Sequence, residues 1–408
     1  MSAETQLVLL TQAYPYGHAE SFIATELDVL AQKFAHVVVV PLTPRGNRKV
    51  RPLPAGVEVL NIFPLRAPDL VNALGEIRPA MQLQRHRRVK DRAIEAIWLS
   101  KMAMIAARIR SLLPHVAVAR TYYGYWLANT AAVAALLARR EDNAIAVARA
   151  HGGDLYLQRA ARGFHPGRRL HAKLDQIYPI SNAGYHSLQA QGFPAGQLHI
   201  ARLGVPETPG SQYQSAHNWR IVSCSNAAPV KRLALIAEAV AILAHQGHPI
   251  RWLHIGDTEL AEGDLASLMG KHGCDREAFV ATGRLPAADV LARIREFQPH
   301  VFVNASSTEG VPVSVMEAFS LGIPVIATNA GGTGEIVVDH ENGLLLPIDI
   351  TGNDLARAIQ EFAELDPHDV QAYRQGAVAT WRQLCSAQQN YQHFSTHLCQ
   401  LLASKNSV

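Results

Sequence analysis

Glu309 and Glu317 stand with seven residues between them in the stretch EGVPVSVMEAFSLGIPVIATNAGG, Glu309 to Gly332. A glutamate is seldom buried without a partner. Gly310, Val311 and Pro312 read as a turn, and Met316, Ala318, Phe319 and Leu321 as the apolar face of the helix it feeds; GIPVIATN then reads as a buried strand. One glutamate thus precedes a helix N-terminus and the other lies in its opening turns, both near backbone N–H groups that lack a helical acceptor. Those amides, at about Val313 and Ser314, suit phosphate oxygens. Carboxylates do not bind phosphate but accept hydrogen bonds from hydroxyls. The two glutamates therefore point to polyol partners, one on a sugar and one on a ribose.

A second stretch, SNAAPVKR, ends a strand in a Pro-containing loop and places Lys231 and Arg232 where a helix begins. Cations ordinarily avoid that end of a helix, because its dipole is positive there. Two of them suggest a strong anion such as a diphosphate, although by pattern alone the pair could be exposed and inert. Sugar, diphosphate and ribose together make a nucleotide sugar.

The elements around these residues alternate. QLVLLTQ, HVVVVPL, VEVLNIF, VAVARTYY, AIAVARAHG and QIYPIS read as strands separated by helical patterns such as AESFIATELDVLAQKF and SNAGYHSLQAQG. Such β-α alternation indicates a parallel sheet covered on both faces. The Pro-, Gly-, Ser- and Gln-rich run after Gly204 breaks the pattern, which restarts with RIVSCS. The division expected is residues 1–205 as an N-terminal Rossmann-like domain and 206–218 as a linker. Residues 219–375 then form a C-terminal, nucleotide-sugar-binding Rossmann-like domain. The region 376–408, part of one long final helix from about Asp369 to Ser404, crosses back to the first domain. Two doubly wound sheets joined by one linker define a cleft, and ligands in such sheets bind beyond the carboxyl ends of the strands. His151 follows a strand at that end and precedes Gly152 and Gly153. Asp154 reads as a site residue or as a helix cap.

With 408 residues, 48% hydrophobic and 18% charged, the chain has the composition of a globular protein of two domains. A net charge of +4 argues against a general polyanion binder. Nucleic acid is discounted as a partner, since neither aromatic interleaving nor zinc spacing accompanies the basic residues. Cys224, Cys274, Cys385 and Cys399 are scattered without a C-x-x-C, as expected of reduced thiols. No signal peptide or bilayer-length apolar run is recognised, so a cytoplasmic location is expected. The stretch with Arg85, Arg87, Arg88, Lys90 and Arg92 ahead of Ile94, Ile97, Trp98, Leu99, Met102 and Ile105 has two readings. It is a domain helix with a solvated charged face, or an element resting on the cytoplasmic face of the inner membrane.

These residues resemble, across nearly the full chain, the retaining, family-4 type glycosyltransferases of the GT-B fold. The resemblance rests on Glu309 and Glu317, on Lys231, on ATGRLP (281–286) and on GIPVIATNAGGTGEIV. YPYGHAESFIATEL and RAHGGDLY are similar to the branch that builds bacterial surface polysaccharides. The fold implied is α/β, GT-B, two doubly wound Rossmann-like domains facing a cleft with the C-terminal helix packing back on the first. The activity implied is transfer of a hexose, with retention, from a GDP- or UDP-sugar to a glycan, in particular a lipid-linked oligosaccharide.

Glu309 would then contact donor-sugar hydroxyls and Glu317 the ribose, while Lys231, with Arg232, would neutralise the departing diphosphate. Gly310, Val311, Pro312, Val313 and Ser314 would bind sugar and phosphate, and Gly283, Arg284 and Leu285 would lie against the nucleobase. His151 would sit beside the transferred sugar, Gly17 would let the first loop approach the donor, and His18 and Asp154 would face the acceptor. Asn226, also on the donor side, stands where many members carry an Arg. The chain has no D-x-D motif, so no metal or other cofactor is expected, and front-face attack is favoured over a double displacement. A dinucleotide oxidoreductase is disfavoured because QAYPYGHAES holds one Gly instead of G-x-G-x-x-G. A sugar-nucleotide epimerase and a non-catalytic nucleotide-sugar scaffold remain as alternatives.

Overall fold

The computed structural model describes residues 5–17, 20–69, 71–73, 89–114, 118–155, 167–208, 210, 218–260, 263–274 and 278–406. His18, Arg85, Arg87, Arg88 and most of the expected linker lie outside the described residues. The chain divides into two compact units, Met1–Arg202 with Gln388–Val408, and Leu203–Ala387.

In the first unit, β1 (Thr5–Thr11), β2 (His36–Pro41), β3 (Val57–Val59), β4 (Ala119–Gly124), β5 (Ala144–Ala150) and β6 (Gln176–Pro179) form a sheet of order β3-β2-β1-β4-β5-β6. Every neighbouring pair in it is parallel. The strands are largely apolar because both faces are covered. Helix α1 (Ile23–Lys33) packs one face, while α2 (Val89–Leu112) and the Ala-rich α3 (Asn129–Ala138) pack the other. Gly124 is required at the end of β4, since a Cβ there would meet the backbone N of Ala131 at 2.6 Å. Of the apolar positions expected to pack in α2, Leu99, Met102 and Ile105 are buried, whereas Ile97 is 72% exposed.

The second unit repeats the plan. Its strands are β7 (Trp219–Ser225), β8 (Ile250–Gly256), the small hairpin β9 (Glu259–Leu260) and β10 (Gly263–Asp264), β11 (Phe279–Ala281), β12 (Val301–Asn304), β13 (Val325–Thr328) and β14 (Gly343–Leu346). The main sheet has order β11-β8-β7-β12-β13-β14, again with parallel neighbours. In both sheets the order reverses beside the first strand, between β1 and β4 and between β7 and β12. A doubly wound sheet takes its ligand at such a switch point.

The single long final helix of the sequence reading is two helices. Pro367–Thr380 is followed by a wide turn at Trp381–Cys385, extended Ser386 and then the helix Ala387–Lys405. Three hydrogen bonds to Val205 cause the break. Val205 N–H donates to the Cys385 carbonyl (2.9 Å), and Ala387 N–H (3.1 Å) and Trp381 Nε1–H (3.2 Å) donate to the Val205 carbonyl. Phe394, Leu398 and Leu402 of the last helix complete the core beside α1. Beneath them Arg149, fully buried, pairs with Glu26 at 2.8 Å, donates to Tyr123 Oη and the Ala201 carbonyl, and stacks 4.3 Å from the Phe394 ring centroid.

Candidate functional site

The two stretches singled out in the sequence meet at the switch point of the second sheet. After β7 the chain makes a short turn at Pro229–Lys231, Arg232 takes a left-handed conformation (φ 48°), and the next helix begins at Leu233. After β12, Ser307 N–H donates to the Val230 carbonyl (2.8 Å) and ties the two loops together. Lys231 Nζ and Glu309 Oε1 come within 2.5 Å, with side chains 24% and 10% exposed. A cation and a hydroxyl acceptor, distant in sequence, thus share one spot at the strand ends.

Helix Val313–Ser320 starts directly after Pro312. Its first amides, at Val313 and Ser314, have no acceptor within the helix. Gly310 is held by its carbonyl, which accepts from Gly332 N–H at 2.7 Å, so the Gly-Gly turn after β13 braces this loop. In the same turn Thr333 donates its hydroxyl to the Ala330 carbonyl and is fully buried. Glu317 is half-buried, and its carboxylate has no hydrogen-bond partner among the described residues. Burial pushes its pKa up to about 7. Burial and then the Glu317 charge push the neighbouring Cys224 thiol up to about 12, against the pull of Lys231. Lys231, Glu309, Glu317 and the start of the helix therefore form one cluster.

A concavity beside the cluster is lined by Asn226, Gly256, Asp257, Thr258, Gly283 and Arg284. Gly283 is left-handed (φ +68°). Arg284 makes a two-pronged pair with Asp257, Nε to Oδ1 at 2.5 Å and Nη2 to Oδ2 at 2.7 Å, which holds the Asp257 carboxyl below its usual range. Behind it a buried chain runs from Trp252 Nε1–H to Ser223 Oγ, on to His254 Nδ1, and from His254 Nε2 to the Asp257 carbonyl. Leu285, half-buried, follows Arg284 along the same loop.

Arg232 is bonded to two backbone carbonyls. Its Nε donates to the Ala305 carbonyl (2.5 Å) and its Nη1 to the Ile348 carbonyl (2.6 Å). With its left-handed backbone, Arg232 ties these two loops together through its guanidinium. Asn226 accepts from Ala228 N–H at 3.3 Å and stays exposed beside Gly283 and Arg284.

In the first unit His151 follows β5 and lies among Tyr125, Trp126 and Phe22, the Trp126 ring centroid being 4.5 Å away. Burial, and then the Arg149 charge, push its pKa down to about 3. Its Nε2 lies 3.1 Å from the Tyr125 carbonyl. A carbonyl only accepts, so Nε2 carries the proton and Nδ1 is left as an acceptor. Asp154 is employed on the backbone: its two oxygens accept from the N–H groups of His151 and Leu127, each at 2.6 Å. Burial raises its pKa to about 7 in spite of these amides. The bond to His151 N–H, at the start of the short helix Gly152–Leu155, is a capping contact. Gly17 is left-handed (φ +71°) and donates its N–H to the Lys49 carbonyl at 2.9 Å.

Two contributors escaped the sequence reading. Glu20 accepts from the N–H groups of Gln12, Ala13 and Tyr14 and from Trp126 Nε1–H, which clamps the loop after β1. Trp126 in turn covers His151. The available signal for Glu20 was a glutamate directly before the apolar face that Phe22, Ile23 and Leu27 give the helix.

The architecture is the GT-B fold. Residues 211–377, within the second unit and around the Lys231–Glu309–Glu317 cluster, match the family Glycosyl transferases group 1. The chain is similar to the amylovoran biosynthesis glycosyltransferase AmsK of Erwinia amylovora, 29% identical over 44% of this chain and 45% of that one. It is also similar to a GDP-mannose-dependent alpha-mannosyltransferase of Mycolicibacterium smegmatis, 27% identical over 53% of this chain and 56% of that one. These matches span about half the length of the relatives. Among solved structures, Anabaena Alr3699/HepE in complex with UDP-glucose superposes with a TM-score of 0.66 at 16% identity, over 97% of this chain and 99% of that one.

Proposed function

We propose that the protein is a glycosyltransferase of polysaccharide biosynthesis that moves a hexose from a GDP- or UDP-sugar to a glycan hydroxyl. The observation that carries this reading is the Lys231–Glu309 pair at the switch point of the second sheet, 2.5 Å apart beside a helix start. The match of this region to glycosyltransferases, and relatives named for amylovoran biosynthesis and for GDP-mannose, support it.

In this reading Lys231 and the amides of Val313 and Ser314 hold the diphosphate and take up the charge that grows as the C1–O bond breaks. Glu309 accepts from sugar hydroxyls, and Glu317 from the ribose. Neutral His151 offers Nδ1 to a further sugar hydroxyl. Attack is on the front face, with retention: the departing phosphate oxygen takes the proton of the acceptor hydroxyl as the new glycosidic bond forms. The reaction needs no metal, and the acceptor is a lipid-linked oligosaccharide reached from the cytoplasmic face of the inner membrane. Among the described residues no helix is long and apolar enough to cross a membrane.

The test is to incubate the protein with radiolabelled GDP- and UDP-sugars and a lipid-linked oligosaccharide extract, with and without EDTA. Label should enter the glycan fraction with EDTA present and should fail to do so with Lys231→Ala. Conversion of the sugar nucleotide without any acceptor would favour an epimerase; binding without turnover would favour a scaffold.

A further inference from the structure

Between Asp28 and Glu58 the sequence contains no carboxylate, and within that span Arg45, Arg48, Lys49 and Arg51 fall inside seven residues. Like charges this close ordinarily repel one another into an open, solvated loop. Here they are held in a tight, braced turn. Arg45 Nε donates to the Arg48 carbonyl (3.2 Å) and Arg48 Nε to the Arg45 carbonyl (3.0 Å). Val50 bridges to Tyr16, and Arg51 N–H donates to the Pro15 carbonyl at 3.0 Å. The guanidinium of Arg45 lies 5.9 Å from the centroid of the Tyr16 ring. The turn leaves the carboxyl end of β2 and is stitched to the loop after β1. It therefore sits on the edge of the first sheet from which His151 also emerges. Arg45 and Lys49 are exposed, and among the described residues no carboxylate pairs with Arg45, Arg48 or Lys49. Glu20, the acid whose charge reaches Arg51, is committed to four N–H donors.

We propose that the Arg45–Arg51 turn is an anion site for the acceptor: it takes a phosphate ester or diphosphate that the acceptor carries, with Arg45 and Lys49 as the contacting cations. This rests on the transferase reading above. The donor's diphosphate has its own cation and helix start in the second unit, so a second concentration of positive charge calls for a second anion. Arg48 shapes the turn through its bonds to backbone carbonyls, and Arg51 adds to the field. The exposed Val50 (44%) beside Lys49 suits an anion that continues into an apolar chain. The phosphate of an acceptor and the headgroup of a bilayer phospholipid share this chemistry, and the experiment separates them.

Lys231→Ala protein, in which the donor cation is removed, is dialysed to equilibrium against labelled inorganic pyrophosphate, with and without Arg45→Gln/Lys49→Gln. The double variant should bind ~10-fold more weakly, from the loss of charge-assisted hydrogen bonds. Lys49→Gln alone, which touches no bond of the turn, should lose roughly threefold, and rising salt should erase the difference. Equal affinity in all three proteins overturns the proposal. In parallel, flotation with phosphatidylglycerol and phosphatidylcholine vesicles reads the other source. Loss of phosphatidylglycerol binding in the loop variants, with pyrophosphate binding intact, overturns the acceptor assignment in favour of a bilayer headgroup. Donor affinity is measured with Lys231 in place. If no nucleotide sugar binds while pyrophosphate still tracks the loop, the anion site stands and the transferase reading falls.

Discussion

The two units share one strand order, yet the buried and half-buried charges beside their sheets are held in different ways. In the first, Glu26 and Arg149 are fully buried and satisfied by each other, by Tyr123 and Tyr125 and by a carbonyl. Glu20 and Asp154 are likewise saturated by N–H donors. In the second, a partly exposed Lys231 pairs with the buried Glu309, and Glu317 has no hydrogen-bond partner among the described residues. A saturated charge holds shape, whereas an unsaturated one at a switch point is available to a ligand. This contrast makes the second unit the place to look for a bound ligand.

The comparison breaks most visibly if the first-unit network is cut. Arg149→Met leaves Glu26 buried without its cation, and breaking a buried pair from one side costs about 3–5 kcal/mol. Thermal or urea melts should show it as a large loss of stability; a melt close to wild type would refute the structural role given to this pair. Lys231→Ala should do the reverse, leaving the melt nearly unchanged while transfer falls by about 10²–10³, the scale for losing one group that stabilises developing charge.

Glu317 sharpens the contrast through pH. Its folded pKa, about 7, is raised above the ordinary value of 4.5 by burial. Between those values the folded chain keeps a proton that the unfolded chain releases, so stability should fall as pH rises through the window and level off above it. Asp154, also raised to about 7 by burial, adds a slope of the same sign, so Glu317→Gln should reduce the slope and leave the Asp154 part. Donor affinity should run the other way, rising from pH 6 to pH 8 as the carboxylate ionises. Both phosphates of a nucleotide sugar are esterified and lack the second ionisation near 6, so this titration belongs to the protein. The smallest effect is expected at His151. Replacement by Phe removes one neutral hydrogen bond, worth roughly 1 kcal/mol or about fivefold in rate. With its pKa near 3, His151 should add no inflection to the rate profile between pH 5 and pH 8.

Both sheets were legible in the sequence because fully covered parallel strands such as HVVVVP and AIAVARA read as continuous apolar runs. The placement of Glu309 and Glu317 around a helix start was legible because Gly310 and Pro312 mark the turn. What escaped depends on distant contacts. The final helix breaks where Val205, far back in the chain, inserts its hydrogen bonds, and no local residue announces this. Arg232 and Lys231 are adjacent and chemically alike, and only a left-handed backbone sends one to carbonyls and the other to Glu309. Asp154 was visible as polar, but the Leu127 amide it holds comes from another loop. Trp126 was passed over because stacking on His151 requires β4 and β5 to be neighbours.

The most direct test of the central claim is a titration of the wild-type protein and Lys231→Ala with GDP-mannose, UDP-glucose and UDP-galactose, by calorimetry or thermal shift, with and without EDTA. A ligand that binds the native state alone raises the melting temperature. The account predicts a clear shift with one nucleotide class, indifferent to EDTA and largely lost in Lys231→Ala. An equal shift in both proteins, or dependence on a divalent metal, would contradict it.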